Sequence, residues 1–149
     1  VKLSSKGRYG VRALFDIAFH NEGGPTQIRE IAEREAIPAR FLEQIFQDLK
    51  RAGLVSAKRG PRGGYQLARP PAEISVGDVL RALEGPEIIA VEDDGARGRP
   101  QPDVVGAVFQ TIAQRASACF DSVSLAEVCV EATRLGLSSR ARPRLSYVI

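Results

Sequence analysis

One histidine and two cysteines among 149 residues leave little material for metal or redox chemistry. No G-x-S-x-G, no P-loop and no cysteine pattern of metal-binding spacing occurs, so no nucleophile–base pair offers itself and an enzyme is not expected. Gly60-Pro61-Arg62-Gly63-Gly64 is rich in glycine but precedes a strand pattern, which is the wrong context for a phosphate-cradling loop. No apolar run approaches the roughly 20 residues that span a bilayer, and Val1 to Lys6 has no signal-peptide character. These absences point to a cytoplasmic protein with no membrane partner, in which Cys119 and Cys129 are thiols and not a structural disulfide. His20, the lone histidine, reads as the end of a helix and not as a metal ligand.

What is present is unevenly charged. Residues 1–69 carry 13 Lys and Arg against 7 Asp and Glu, whereas the chain as a whole has a net charge of only +3. A basic first half joined to a mildly acidic second half suits contact with a polyanion through the first half. An uneven solvated surface is the plainer reading of charge alone.

The periodicity of the first half is helical. Val11, Leu14, Phe15 and Ala18 lie on one face of a segment from Ser5 to His20, ended by Asn21-Glu22-Gly23-Gly24-Pro25. Thr26 is expected to cap a short second helix carrying Ile28, Ile31 and Ala32, with Glu30 in its first turn. Ala36-Ile37-Pro38 makes a tight break before a third helix from about Ala39 to Ala52, closed by Gly53. Two helices joined by a short break form a helix-turn-helix.

The third helix has two faces. Leu42, Ile45, Phe46 and Leu49 form an apolar stripe for the core, and Arg40, Glu43, Gln44 and Gln47 form a second stripe of hydrogen-bonding groups. Arg suits guanine, Gln adenine, and Glu the amino group of cytosine, so this face fits the edges of bases. Polar helix faces are usually only solvated; the helix-turn-helix setting and the cations that follow, Lys50, Arg51, Lys58, Arg59 and Arg62, favour the DNA reading.

Two short strands, Leu54–Lys58 and Tyr65–Ala68, flank a tip of Gly, Pro and Arg, the pattern of a β-hairpin wing. Its glycines let the tip lie close to a phosphate chain, with Arg59 and Arg62 supplying charge to phosphates or the minor groove. Ser75-Val76-Gly77-Asp78 is a capping box opening a helix that stops at Gly85-Pro86. The expected fold is therefore mainly α with a small β-hairpin. It comprises a winged helix-turn-helix over 1–86, a flexible loop over 87–103, dimerisation helices over 104–137 and a frayed tail over 138–149.

The loop is polar and aperiodic from Glu92 to Asp103. Beyond it, Val105, Val108, Phe109, Ile112, Ala116 and Cys119 trace an apolar stripe. Ser124 with Glu127 then caps a last helix bearing Leu125, Val128, Cys129 and Ala132. An amphipathic helix at this position needs a partner. A second copy in a two-fold homodimer and the body of the same chain are competing candidates. Placed in apolar stripes, both cysteines read first as buried small hydrophobes, with a redox-sensing thiol as the alternative.

Several stretches resemble one known family in order and spacing. These are Lys2-Leu3-Ser4, Gly7-Arg8-Tyr9-Gly10, Phe41-Leu42-Glu43-Gln44-Ile45, Ala52-Gly53-Leu54-Val55, Gly63-Gly64-Tyr65-Gln66-Leu67-Ala68 and Ala82-Leu83-Glu84-Gly85. They resemble the Rrf2 family of bacterial winged-helix regulators. The resemblance is dense over residues 2–86 and looser through Asp121-Ser122-Val123-Ser124-Leu125-Ala126. It implies a homodimeric repressor on a roughly palindromic operator in double-stranded DNA, with Arg40, Glu43 and Gln44 reading bases. Arg59 would enter the minor groove, and Tyr9 and Thr26 would contact phosphates.

Two departures from the family pattern matter. Arg40 stands where relatives often carry a small polar residue. Cluster-binding relatives hold three cysteines in the loop before the dimer helix, and residues 92–103 contain none. An iron–sulfur cluster, generally held by four ligands, is thus not expected as a cofactor. A thiol, a small molecule, a partner protein or an atypical cluster stays open as the signal. A winged helix that binds protein in place of DNA is the competing function class.

Overall fold

The computed structural model describes residues 3–92, 95 and 98–139. Val1 and Lys2, Asp93, Asp94, Ala96 and Arg97 of the expected flexible loop, and residues 140–149 of the expected frayed tail lie outside the described residues.

Among the described residues, six helices and one hairpin follow in the order α1 (Ser5–Asn21), α2 (Ile28–Glu35), α3 (Ala39–Arg51), β1 (Val55–Lys58), β2 (Gly64–Leu67), α4 (Val76–Glu84), α5 (Val104–Asp121) and α6 (Leu125–Arg134). A single 3-10 turn, Pro71–Glu73, leads from the wing into α4. Helix starts follow local chemistry. The Ser4 hydroxyl accepts from the Gly7 amide in α1, and Ser75/Asp78 and Ser124/Glu127 form reciprocal capping boxes at α4 and α6. At α2 the expected cap is displaced by one residue. Gln27, not Thr26, is the N-cap and forms a box with Glu30, because Thr26 is taken into a backbone bridge with the wing.

The central element is α1, against which α2, α3, α4 and α6 all pack. Leu14, Ile17, Ile31, Leu42, Phe46, Leu49, Ile74 and Leu125 are fully buried in one continuous core. At Gly10 the approach of α4 to α1 leaves no room for a side chain, since a Cβ there would lie 2.1 Å from Leu83 Cδ1. Between α1 and α2, Asp16 is completely buried and takes a two-pronged contact from Arg34, with Nε to Oδ2 at 2.9 Å and Nη2 to Oδ1 at 2.6 Å. His20 fills the last turn of α1, buried and edge-on to Phe19, with Nε2 4.0 Å from the same carboxylate.

Residues 104–137 divide in their packing. α6 returns to the body: the Leu125 amide bonds to the Ile74 carbonyl at 2.9 Å, the Val76 amide to the Val123 carbonyl at 2.8 Å, and Leu125 joins the main core. α5 instead touches the body through α4, where Ala113 is buried and Arg81 clasps Asp121 with two bonds of 2.7 and 2.6 Å. Among the described residues no helix is long and apolar enough to cross a membrane.

Candidate nucleic-acid interface

The recognition surface starts from the break between α2 and α3. Ala36 ends α2 in the left-handed region (φ 53°), Ile37 is buried as an anchor, and the Pro38 carbonyl receives the first amides of α3, Phe41 and Leu42. With Leu42, Ile45, Phe46 and Leu49 buried, the rotation of α3 is fixed. Arg40, Glu43, Gln44 and Gln47 are consequently all exposed, side by side on the outer face. In the last turn of α3, Asp48 is held by Lys6 at 2.7 Å and by Arg51 at 3.2 Å. The Lys6 hydrogen bond, ahead of the Coulomb attraction of the two cations, keeps its carboxyl below the ordinary range.

The wing is fastened to this unit by backbone and by ring stacking. β1 and β2 pair antiparallel with Val55 opposite Leu67 and Lys58 opposite Gly64. Thr26 and Tyr65 exchange two amide–carbonyl bonds of 2.8 and 2.9 Å, and the Tyr65 ring stacks on Phe46 with centroids 4.6 Å apart. That bridge brings the Thr26 carbonyl so close to Gly64 (φ 150°) that a Cβ at residue 64 would lie 2.3 Å from it. The hairpin thus cannot swing freely away from α3. Lys58, Arg59 and Arg62 at its tip are exposed, and among the described residues neither they nor Arg40 pair with an acidic side chain. Unneutralised cations beside a hydrogen-bonding helix face are what a polyphosphate duplex requires.

Most of the sequence-derived DNA-facing residues come together here: Arg40, Glu43, Gln44 and Gln47 on α3, Arg51 at its end, and Lys58, Arg59 and Arg62 on the wing. Tyr9, half-buried on α1, borders them, with the Arg12 guanidinium 5.7 Å from its ring centre. Thr26 does not join them. It is 0% exposed, its hydroxyl donating to the Gly24 carbonyl and accepting from Asn21, so its side chain is spent inside the protein and not offered to a phosphate. What sequence reading missed is the Thr26–Tyr65 bridge and the Phe46–Tyr65 stack that seat the wing. The adjoining Gly63-Gly64 pair was their one trace.

The remaining candidates lie on α5 and α6. Val105, Val108, Phe109 and Ile112 are each more than half exposed, and Ala116 is half-buried, so the body of the chain does not cover this stripe. The expectation that both cysteines are buried is corrected for Cys119. It stands exposed because the stripe carrying it turns away from α4, while Cys129 is half-buried and desolvation pushes its thiol upward. Among the described residues no three His, Cys, Asp or Glu side chains converge as a metal site.

Residues 3–131 match the family described as "Rrf2: Iron-dependent Transcriptional regulator". The chain belongs to the Rrf2 family. The transcriptional regulator IscR of Aliivibrio salmonicida is 38% identical over 133 residues, covering 88% of this chain and 79% of that protein. Among solved structures, T. potens IscR superposes with a TM-score of 0.75 at 36% identity, covering 93% of both chains. CymR, the global cysteine regulator of B. subtilis, gives 0.75 at 32% identity over 88% of this chain and 98% of its own. This Rrf2 protein is a DNA-binding transcriptional regulator with a winged-helix fold, not an enzyme.

Proposed function

We propose that this regulator acts as a homodimer, represses transcription from a roughly palindromic operator, and does so without a resident iron–sulfur cluster. The observation that carries the dimer is the bare apolar stripe of α5. Apolar area removed from water is worth about 25 cal/mol per Å², and a second copy of the same helix offers the matching surface. A two-fold axis through paired α5 helices would duplicate α3 and the wing. The operator would then consist of two related half-sites about one helical turn apart or a multiple of it. In each half-site Arg40, Glu43, Gln44 and Gln47 would meet base edges, while Tyr9, Arg51, Lys58, Arg59 and Arg62 would meet phosphates or the minor groove.

The donor set supports cluster-free operation. The chain has two thiols, one on α5 and one on α6, and none in the loop 92–103 where cluster-holding relatives carry three; His20 faces a buried carboxylate. Sedimentation equilibrium, followed by selection of tight binders from random duplexes, tests the assembly. A monomer, or a selected site without two-fold symmetry, would remove the dimer reading. Iron and sulfide assays on protein purified without oxygen test the cofactor, and matched iron and sulfide would defeat the cluster-free reading. Transcription in vitro from a promoter carrying the selected site tests repression.

In the single chain Cys119 is exposed while burial disfavours the reactive thiolate at Cys129, so Cys119, at the end of the α5 stripe, is the thiol whose oxidation would alter the paired helices. On that second reading, peroxide weakens DNA binding by the wild type and leaves Cys119→Ser unaffected. An equal response of both would end the thiol reading at this residue.

A further inference from the structure

An apolar side chain interrupts the polar face of the recognition helix. Phe41 is 44% exposed, although the residues around it on the same outer surface are Arg40, Glu43 and Gln44. Nothing in the core calls for it, since Leu42, Ile45 and Phe46 already supply the buried side of α3. Its ring instead forms one wall of a cleft of about 440 Å³ between the first turns of α1 and the start of α3. Ser5, Lys6, Tyr9, Gln44 and Ile45 form the rest. The Arg40 guanidinium carbon lies 5.0 Å from the centre of the Phe41 ring, and Gln44 follows one turn later on the same side of the helix. The ring thus sits between two donors of the base-reading stripe, with an open apolar cleft beside it. Lys6, the one cation of the cleft, is engaged with Asp48 at 2.7 Å.

What could occupy such a place follows from the chemistry of the surface it interrupts. The edges of bases in the major groove present hydrogen-bond donors and acceptors and a single apolar group, the 5-methyl of thymine. We propose that Phe41 is a further specificity determinant, receiving a thymine methyl next to the base pair addressed by Gln44. The regulator thereby prefers thymine to cytosine at one position of each half-site. This rests on α3 being the base-reading element, as set out under the proposed function.

The test is a methyl-deletion scan. A duplex selected from a random library by the wild-type protein is resynthesised with each thymine in turn, in both half-sites, replaced by deoxyuracil. That change removes the methyl and leaves the hydrogen-bonding edge intact. One methyl withdrawn from an apolar contact corresponds to about fourfold in affinity per half-site. Wild-type protein is expected to lose that factor at one thymine position, and Phe41→Ala to bind the thymine and uracil duplexes alike. Phe41→Leu should retain part of the preference, and serves if the alanine variant loses its helical circular dichroism.

Four results would each overturn the proposal. They are indifference of the wild type to every uracil, the same penalty in Phe41→Ala, a selected half-site without thymine, or an equal loss of selected and random DNA in Phe41→Ala. The last would mark a contact with deoxyribose. Failure of the underlying reading looks different: no sequence is enriched, or Gln44→Ala leaves the preference for the selected duplex unchanged.

Discussion

Gln44 and Arg59 meet a duplex through different physics, so their substitutions should separate. Gln44 lies exposed on the outer face of α3 and can pair with a base edge, a contact worth roughly 1–3 kcal/mol of discrimination. Gln44→Ala is expected to lower binding to the selected operator by that amount and to leave random DNA almost unaffected. Arg59 carries a free charge on the wing. Its replacement by alanine should weaken both and lower the slope of log K against log salt by about 1. Titrations by anisotropy at several salt concentrations read both effects, and equal losses for Gln44→Ala would take it out of base reading. Residues behind the surface act on stability instead. Asp16 is 0% exposed and the Arg34 side chain 14%, so removing either partner strands a charge where water hardly reaches. Asp16→Ala should cost about 3–5 kcal/mol in urea unfolding, a large share of a typical domain's total. A loss below about 1 kcal/mol would mean that this pair is not what fastens α2 to α1.

At the scale of elements, the wing is a part docked at defined points and should fail as one. Gly64→Ala would push a methyl toward the Thr26 carbonyl at 2.3 Å, so the bridge between Thr26 and Tyr65 must open or the hairpin must shift. The expected result is a loss of about 2 kcal/mol or more in stability. DNA affinity should fall further than for Arg59→Ala, while helical circular dichroism stays near normal. Helix α5 offers the opposite case, an element that can be changed without harming the fold. Ile112→Asp, at a side chain already 53% exposed, should leave the unfolding of the isolated chain within about 0.5 kcal/mol of wild type and yet abolish the dimer in sedimentation. A stable dimer of this variant would move the interface elsewhere. Elements of this kind were legible in the sequence wherever their information is local. The 3.6-residue stripes of α1, α3 and α5 and the capping boxes at Ser75 and Ser124 lie within a few residues of the structure they create. Docking was not legible. Thr26 looked like a helix cap because its neighbours resemble one, and only a strand 39 positions later diverts it into a bridge.

For the whole molecule the same limit applies more strongly. Periodicity in α5 and α6 reports an apolar face without saying what covers it, and the two helices answer differently. The face of α6 closes on the core through Leu125, while that of α5 stays bare. Charge behaves likewise: the basic first half was plain from composition, but which carboxylates are held by which cations appears only in three dimensions. Those pairings set how the molecule responds to acid. Asp48, hydrogen-bonded by Lys6, and Asp121, hydrogen-bonded by Arg81, both have pKa values lowered from 3.8, so each contributes stability in full above that value. Their contribution is lost as pH falls below 3.8 and through the still lower folded-state values, because the unfolded chain then binds the protons first. Glu35 has the reverse sign. Burial, and after it the nearby Asp16 charge, raises its pKa above 4.5, so the folded chain takes up a proton before the unfolded one does. Lowering pH through that raised value toward 4.5 should therefore favour folding. A plot of urea midpoint against pH is expected to fall steeply below 3.8, with Asp48→Asn and Asp121→Asn each making that limb shallower. The difference between the wild-type and Glu35→Gln curves isolates the gain above 4.5. If the two curves run parallel there, Glu35 ionises in the folded protein as it does in the unfolded chain, and the burial ascribed to its carboxylate is wrong.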